Sequence, residues 1–141
     1  MIEPHIGEIA GYRAAIGAGD VALFDNIAPE FASAIGSRTI ADRARGAQFL
    51  EVDAILISGP AAGTPFAMSD LRAAKDAVPD TDVVANTGVR AERMAEIFAV
   101  ADGAIVGTSL KRDGVTWNAV DPERAGRLMD AARAARSSTA T

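Results

Sequence analysis

Apolar residues fall in short blocks along this chain, and the spacing inside each block separates helix from strand. Ile9, Tyr12 and Ile16 recur at helical spacing, which predicts a helix from Glu8 to Ala18 ended by Gly17 and Gly19. Val21–Ile27 (VALFDNI) is a β-branched and aromatic run and reads as a strand, followed by a loop over 28–36. Arg38 to Glu51 carries Ile40, Ala44, Ala47 and Leu50 on one stripe, a second helix. Ala54–Ser58 (AILIS) is a fully apolar strand broken by Gly59-Pro60, and Gly63-Thr64-Pro65 lengthens the loop after it. Ser69 is the expected N-cap of a helix from Asp70 to Val78. Asp82–Asn86 (DVVAN) is the third strand, closed by Thr87-Gly88, and Ala91 to Val100 is a helix with Met94, Ile97 and Phe98 inward. Gly103–Val106 is the fourth strand. The last helix takes Asp121 as N-cap and Pro122 as first residue and runs to about Arg136, leaving 137–141 as a disordered tail.

The order is one helix, then strand and helix four times. Continuous apolar strands between helices mean parallel strands. The strand starts fall about 21 to 33 residues apart, one βα unit each. Each strand ends in polar or glycine-rich residues: Asp25-Asn26, Ser58-Gly59, Asn86-Thr87-Gly88 and Gly107-Thr108-Ser109. Parallel α/β proteins place their sites there. The expected fold class is therefore α/β, a parallel (βα)4 half of a TIM-type (β/α)8 barrel, over residues 1–136. A whole barrel of this type takes about 250 residues, against 141 here. A half barrel leaves two unpaired edges and an apolar concave face, expected to carry Ile55, Ile57 and Ile105. A second copy closing the barrel as a homodimer, four further βα units upstream, or an open sheet folding alone would each answer that exposure.

The stretch Ala99 to Asp121 (AVADGAIVGTSLKRDGVTWNAVD) holds the clearest candidate site. A buried strand opens into Gly107, Thr108 and Ser109, and a helix N-terminus follows. Glycine admits backbone N–H groups to a ligand, hydroxyls donate, and a helix end supplies orphan N–H groups, the chemistry of an anion site. Ser58, Gly59, Asn86, Thr87 and Gly88 complete the set of expected phosphate or ligand contacts at the strand ends. The competing reading is that the glycines make tight turns and the hydroxyls cap loops.

Charge narrows the partner. The net charge is -5, so a nucleic-acid backbone is repelled, while the glycine and hydroxyl residues at the strand ends make a small anionic metabolite the expected partner. Nearly half the residues (49%) are hydrophobic, which excludes a disordered chain. There is no cysteine, hence no disulfide and no thiolate metal site. The N-terminus lacks the basic start and apolar core of a signal peptide, and no apolar run reaches the roughly 20 residues of a membrane helix, so a cytoplasmic location is expected.

Asp25, Glu30 and Lys111 are the candidate catalytic residues. Asp25 and Glu30 as a carboxylate pair suit acid–base work, and Lys111, one of two lysines, suits a point-charge contact with phosphate. The bland alternatives are a loop cap for Asp25 and solvated charges for the other two. Ser58 has neither the flanking glycines of a nucleophile elbow nor a downstream histidine, which argues against serine hydrolase chemistry. His5, the single histidine, cannot build a histidine-based zinc site alone, and no metal site or cofactor is assigned. Trp117 is a lid or a rim cover.

From about Ile9 to Arg133 the chain resembles the C-terminal half of the BtpA/SgcQ family, proteins of TIM-barrel type. The resemblance rests on Asp53-Ala54-Ile55-Leu56-Ile57-Ser58-Gly59, on Asn86-Thr87-Gly88-Val89 and on the run from Ala101 to Lys111, continued by Asp113-Gly114 and Val120-Asp121. It departs where some members carry Lys-His and this chain has Pro29-Glu30, at Ala62-Gly63, and at Asn86-Thr87-Gly88. The resemblance implies four further βα units upstream. It also implies one of two function classes. One is a sugar-metabolism protein with a phosphorylated ligand, acting as a lyase, isomerase or hydrolase. The other is a non-catalytic factor in photosystem biogenesis.

Overall fold

The computed structural model describes residues 5–33 and 36–139. Its elements are α1 (Ile6–Ala15), β1 (Phe24–Ala28), α2 (Ile40–Phe49), β2 (Ala54–Ile57), α3 (Met68–Ala77), β3 (Asp82–Ala85), α4 (Met94–Phe98), β4 (Gly103–Ala104) and α5 (Pro122–Thr139). Short 3-10 turns cover Ala91–Arg93, Thr108–Leu110 and Arg112–Gly114. The four strands form one parallel sheet in the order β1-β2-β3-β4, as the strand–helix alternation requires. An α/β fold with this sheet is consistent with part of a TIM-type barrel.

Local chemistry sets the helix ends. The Arg13 and Ala14 carbonyls accept from Ala18 and Gly17, and Gly17 takes the left-handed conformation (φ 71°), so α1 stops where a glycine was expected to stop it. Thr39 and Asp42 cap α2 reciprocally: Thr39 Oγ1 accepts from Asp42 N, and Asp42 Oδ2 accepts from Thr39 N. Asp121 Oδ1 accepts from Glu123 N at 2.9 Å and Arg124 N at 3.3 Å, the N-cap expected of it.

Several boundaries differ from expectation. Val21 N bonds Ala18 O in the turn after α1, so β1 begins only at Phe24. Helix α3 starts at Met68 with Ala67 as an N-cap that makes no side-chain bond, and Ser69 lies inside the helix. The expected helix over 91–100 divides into a 3-10 turn and five α-helical residues, although Met94 and Ile97 are buried as expected. The regular ladder of β4 ends at Ala104, with Ile105 N still donating to Ala85 O at 2.8 Å. Helix α5 continues through Ser137 and Ser138, whose hydroxyls donate back to Arg133 O and Ala135 O, where a tail was expected. Residues 140–141 lie outside the described set.

The core lies on one face of the sheet. Ile55, Ile57, Val83 and Ala85 are fully buried against Ala44, Ala47, Leu71, Ala74, Val78, Met94, Ile97, Ala132 and Ala135 of the helices. Ile55 and Ile57 therefore face the helices, not the concave side where they were expected. Their neighbour Leu56 points the other way, in register with Asn26, Val84 and Gly103. Ile105 is 43% exposed and Phe24 is 51% exposed. Ile9, Tyr12 and Ile16 of the first helix are also exposed, and α1 buries no residue.

Candidate functional site

Parallel strands bring their C-terminal ends to one rim, and a cleft of about 570 Å³ opens there. Asn86, Thr87, Gly88, Gly107, Thr108 and Ser109 line it, so six of the eight expected ligand residues converge. Ser58 and Gly59 border a second hollow of about 350 Å³, beside Pro29, Ser33, Arg43 and Asp70.

The hydroxyls are largely committed to the loops. Thr87 Oγ1 accepts from Gly59 N at 2.6 Å and donates to Thr64 O at 3.1 Å. That pair of bonds holds a β-branched residue at φ 61°, a conformation it rarely adopts. Ser109 Oγ donates to Val89 O at 2.6 Å, and Thr108 Oγ1 lies 3.0 Å from Thr116 Oγ1. Gly88, at φ 60°, and Gly59 press on the Thr64-Pro65 backbone so closely that a Cβ at either would overlap it. Gly107 differs, because a Cβ built there meets nothing within 4 Å.

The helix N-terminus of the expected anion site is already occupied. Asp121 spends its carboxylate on the first N–H groups of α5, placing a negative charge where an anion was to bind. Positive charge comes from elsewhere. Arg90, Arg124 and Arg127 line the cleft, none of them singled out in the sequence. Arg124 leans on its own chain, Nη1 to Ser109 O at 3.5 Å and Nε 3.8 Å from Asp121 Oδ2. The first turns of α5 pack on the 3-10 turns after β3 and β4, which brings these cations to the loops. Glu30, Glu92 and Asp113 also line the cleft, so it carries both signs.

Of the three catalytic candidates, Glu30 alone borders the cleft. Asp25 is the second residue of β1, in register with the buried Ile55 and set back from the rim. Burial pushes its carboxyl pKa up. Lys111 is half-buried outside the cleft lining, bridged to Val120. His5 takes the N-cap position of α1, and Trp117, 93% exposed, is not part of the lining. Among the described residues no three histidine, aspartate or glutamate side chains converge as for a metal.

A polar row crosses the open face just below the rim. Ser58, only 9% exposed, lies between Asn26 and Asn86 at 2.9 and 2.8 Å. The other end of the Asn26 amide lies 3.2 Å from Ala28 O and 3.3 Å from both Leu56 O and Ser58 Oγ. In the sequence Asn26 stands out only as a polar strand end. Its spacing from Ser58 and Asn86, about 30 residues each time, is the one-unit repeat that could have picked it out.

The sequence profile of the BtpA family matches residues 1–134. SgcQ of Escherichia coli K12 is 40% identical over 129 residues, 91% of this chain and 48% of SgcQ. The photosystem I biogenesis protein BtpA of Synechocystis is 29% identical over 136 residues, 93% of this chain and 46% of that protein. An uncharacterised Archaeoglobus fulgidus protein is 32% identical over 133 residues, 94% of this chain and 51% of its own length. The chain thus spans about half the length of these three relatives. No helix among the described residues is long and apolar enough to cross a membrane. The chain belongs to the BtpA family, as the resemblance implied.

Proposed function

We propose that this chain is one half of a TIM-type barrel and that its rim cleft binds a small phosphorylated or otherwise anionic metabolite. The observation that carries this reading is the convergence of Arg90, Arg124 and Arg127 on a cleft floored by the open backbone of Gly107. Guanidinium groups offer paired donors to phosphate oxygens, and a glycine with free space lets a ligand reach the main chain. Glu30, Glu92 and Asp113 are acceptors for the hydroxyls of a sugar or polyol.

Two of the three catalytic candidates stand off the cleft, so the reading is of a binding half whose reacting groups come from further βα units. The relatives' length supports such units. Trp117, Val115 and Val120, all exposed on the loop after β4, favour a second reading, a protein-docking factor in biogenesis.

Thermal unfolding with inorganic phosphate, a panel of sugar phosphates and the parent sugars separates the two. A ligand at a hundredfold excess over its Kd stabilises by about 2.7 kcal/mol. Phosphorylated ligands should raise the melting temperature, parent sugars should not, and Arg127→Ala should reduce the shift. No shift with any phosphorylated compound would refute the anion site. Light scattering tests how the sheet edges are closed: a stable dimer means that two halves close on each other, and a monomer that binds a hydrophobic dye means that the remaining βα units belong to a longer chain.

A further inference from the structure

Exposed apolar residues are gathered at the two ends of the sheet. Apart from Phe49, every large apolar side chain left exposed among the described residues falls within 9–31 or 105–129. The first stretch is α1, β1 and the start of the loop after it, and includes Tyr12, Phe24 and Phe31. The second is the loop after β4 and the first half of α5, and includes Ile105, Trp117 and Met129. β1 and β4 are the two edge strands. Apolar surface concentrated at unpaired edges marks an interaction surface.

The two margins also differ in sign. Residues 1–31 hold five carboxylates against one base, Arg13, which is already paired with Asp53. Residues 105–141 hold six bases against four carboxylates. One margin is thus apolar and acidic, the other apolar and basic. The chain also contains one junction of the kind these edges would make. β2 receives β3 in parallel, Ala54–Ile57 against Asp82–Ala85 residue for residue, and Asn86 N continues the ladder to Ile57 O at 2.8 Å. β4 receiving β1 of another copy repeats that junction, an even strand followed by an odd one.

We infer that a second copy of this chain covers both margins head to tail, with β4 of each copy beside β1 of the other. Resting on the half-barrel reading above, the inference names the occupant and its orientation. Two such contacts close four and four strands into a ring of eight, the number of a TIM-type barrel, and leave no free edge. Acid meets base at both contacts, whereas joining like margins would set acid against acid. The loop after β1 of one copy then lies beside the loop after β4 of the other, so each rim cleft is completed across the boundary.

Light scattering on the 141-residue chain and two variants tests this. The unmodified chain should be a dimer that added salt weakens. Phe24→Lys charges the first margin and Ile105→Glu the last, and each variant alone should be monomeric. Mixed one to one, the first supplies an intact last margin and the second an intact first margin, so dimers should return. That recovery would also show that both variants fold. No recovery from variants that still melt cooperatively would overturn the head-to-tail arrangement, and open-ended assemblies would overturn closure by two copies. A dimer of the unmodified chain that salt strengthens would overturn the pairing of acidic with basic margins. A monomer that binds a hydrophobic dye would overturn the second copy and leave the half-barrel reading standing. A monomer that binds no dye would overturn both.

Discussion

Asp53 and Asp102 occupy equivalent places in the two halves of the sheet. Asp53 Oδ2 accepts from Leu23 N at 2.6 Å and from Arg13 Nη1 at 2.7 Å, and Asp53 N donates to Leu23 O. Asp102 Oδ2 accepts from Val83 N and Lys75 Nζ, both at 2.8 Å, and Asp102 N donates to Val83 O. Each aspartate directly precedes an even-numbered strand, ties down the start of the strand before it, and pairs with a base on the helix before that. The four-stranded sheet is thus two copies of one βαβ device, a repeat of side-chain roles that the apolar pattern alone does not show.

The device makes a pH prediction. The Leu23 N–H and the Arg13 guanidinium hold the Asp53 carboxyl below its ordinary pKa. A carboxyl that ionises more readily in the folded state stabilises at pH above its unfolded pKa of about 3.9, and loses that contribution as pH falls through the folded value. Asp53→Asn should lower the melting temperature at pH 7 and show a smaller acid-induced decline than the parent. Parallel melting curves from pH 7 to 2.5 would contradict this.

Asp25 carries the opposite sign. Burial raises its pKa, so the ionised form is disfavoured in the folded chain and the penalty grows as pH rises from the unfolded value through the folded one. Asp25→Asn should raise stability at pH 7 and leave it nearly unchanged at pH 3. A loss of stability at pH 7 would mean that the carboxylate has a partner in the assembled protein.

Glycines at three positions should respond in three ways. Gly88→Ala forces a Cβ into the Pro65 backbone at a left-handed φ, and should cost about 2 kcal/mol or more, on the order of 5–10 °C in melting temperature. Gly126→Ala, inside α5 with nothing within 4 Å, should stabilise by about 0.5–1 kcal/mol. Gly107→Val points into the open cleft, and should abolish a phosphate-induced melting shift while leaving the unliganded melting temperature within a few degrees. An unaltered shift would remove Gly107 from the site.

The strands and their parallel order were legible because each βα unit repeats an apolar block closed by polar or glycine residues. The facing of the second strand was not. Ala54-Ile55-Leu56-Ile57 has no polar residue to mark a side, and only pairing with β3 decides that Ile55 and Ile57 meet the helices. The six cleft residues were legible for the same reason as the strands, since each sits at a strand end. The arginines were not: Arg124 and Arg127 reach the cleft only because α5 packs against the turns after β3 and β4. Asn26 was not legible because its partners, Ser58 and the Ala28 and Leu56 carbonyls, come together only in the folded sheet.

The two-residue length of β4 bears on how the cleft behaves in time. With so little ladder at that edge, α5 is anchored through Leu128, Ala132 and Ala135 and by Arg136 stacked over Phe98 at 5.1 Å. The wall that holds two of the three arginines therefore hangs on side-chain packing at the least cross-linked margin of the sheet. Regions of that kind open locally, at lower free energy than the molecule as a whole. A ligand spanning Arg124, Arg127 and the Gly107 loop would act as a clasp, and its first effect would be on the lifetime of that opening.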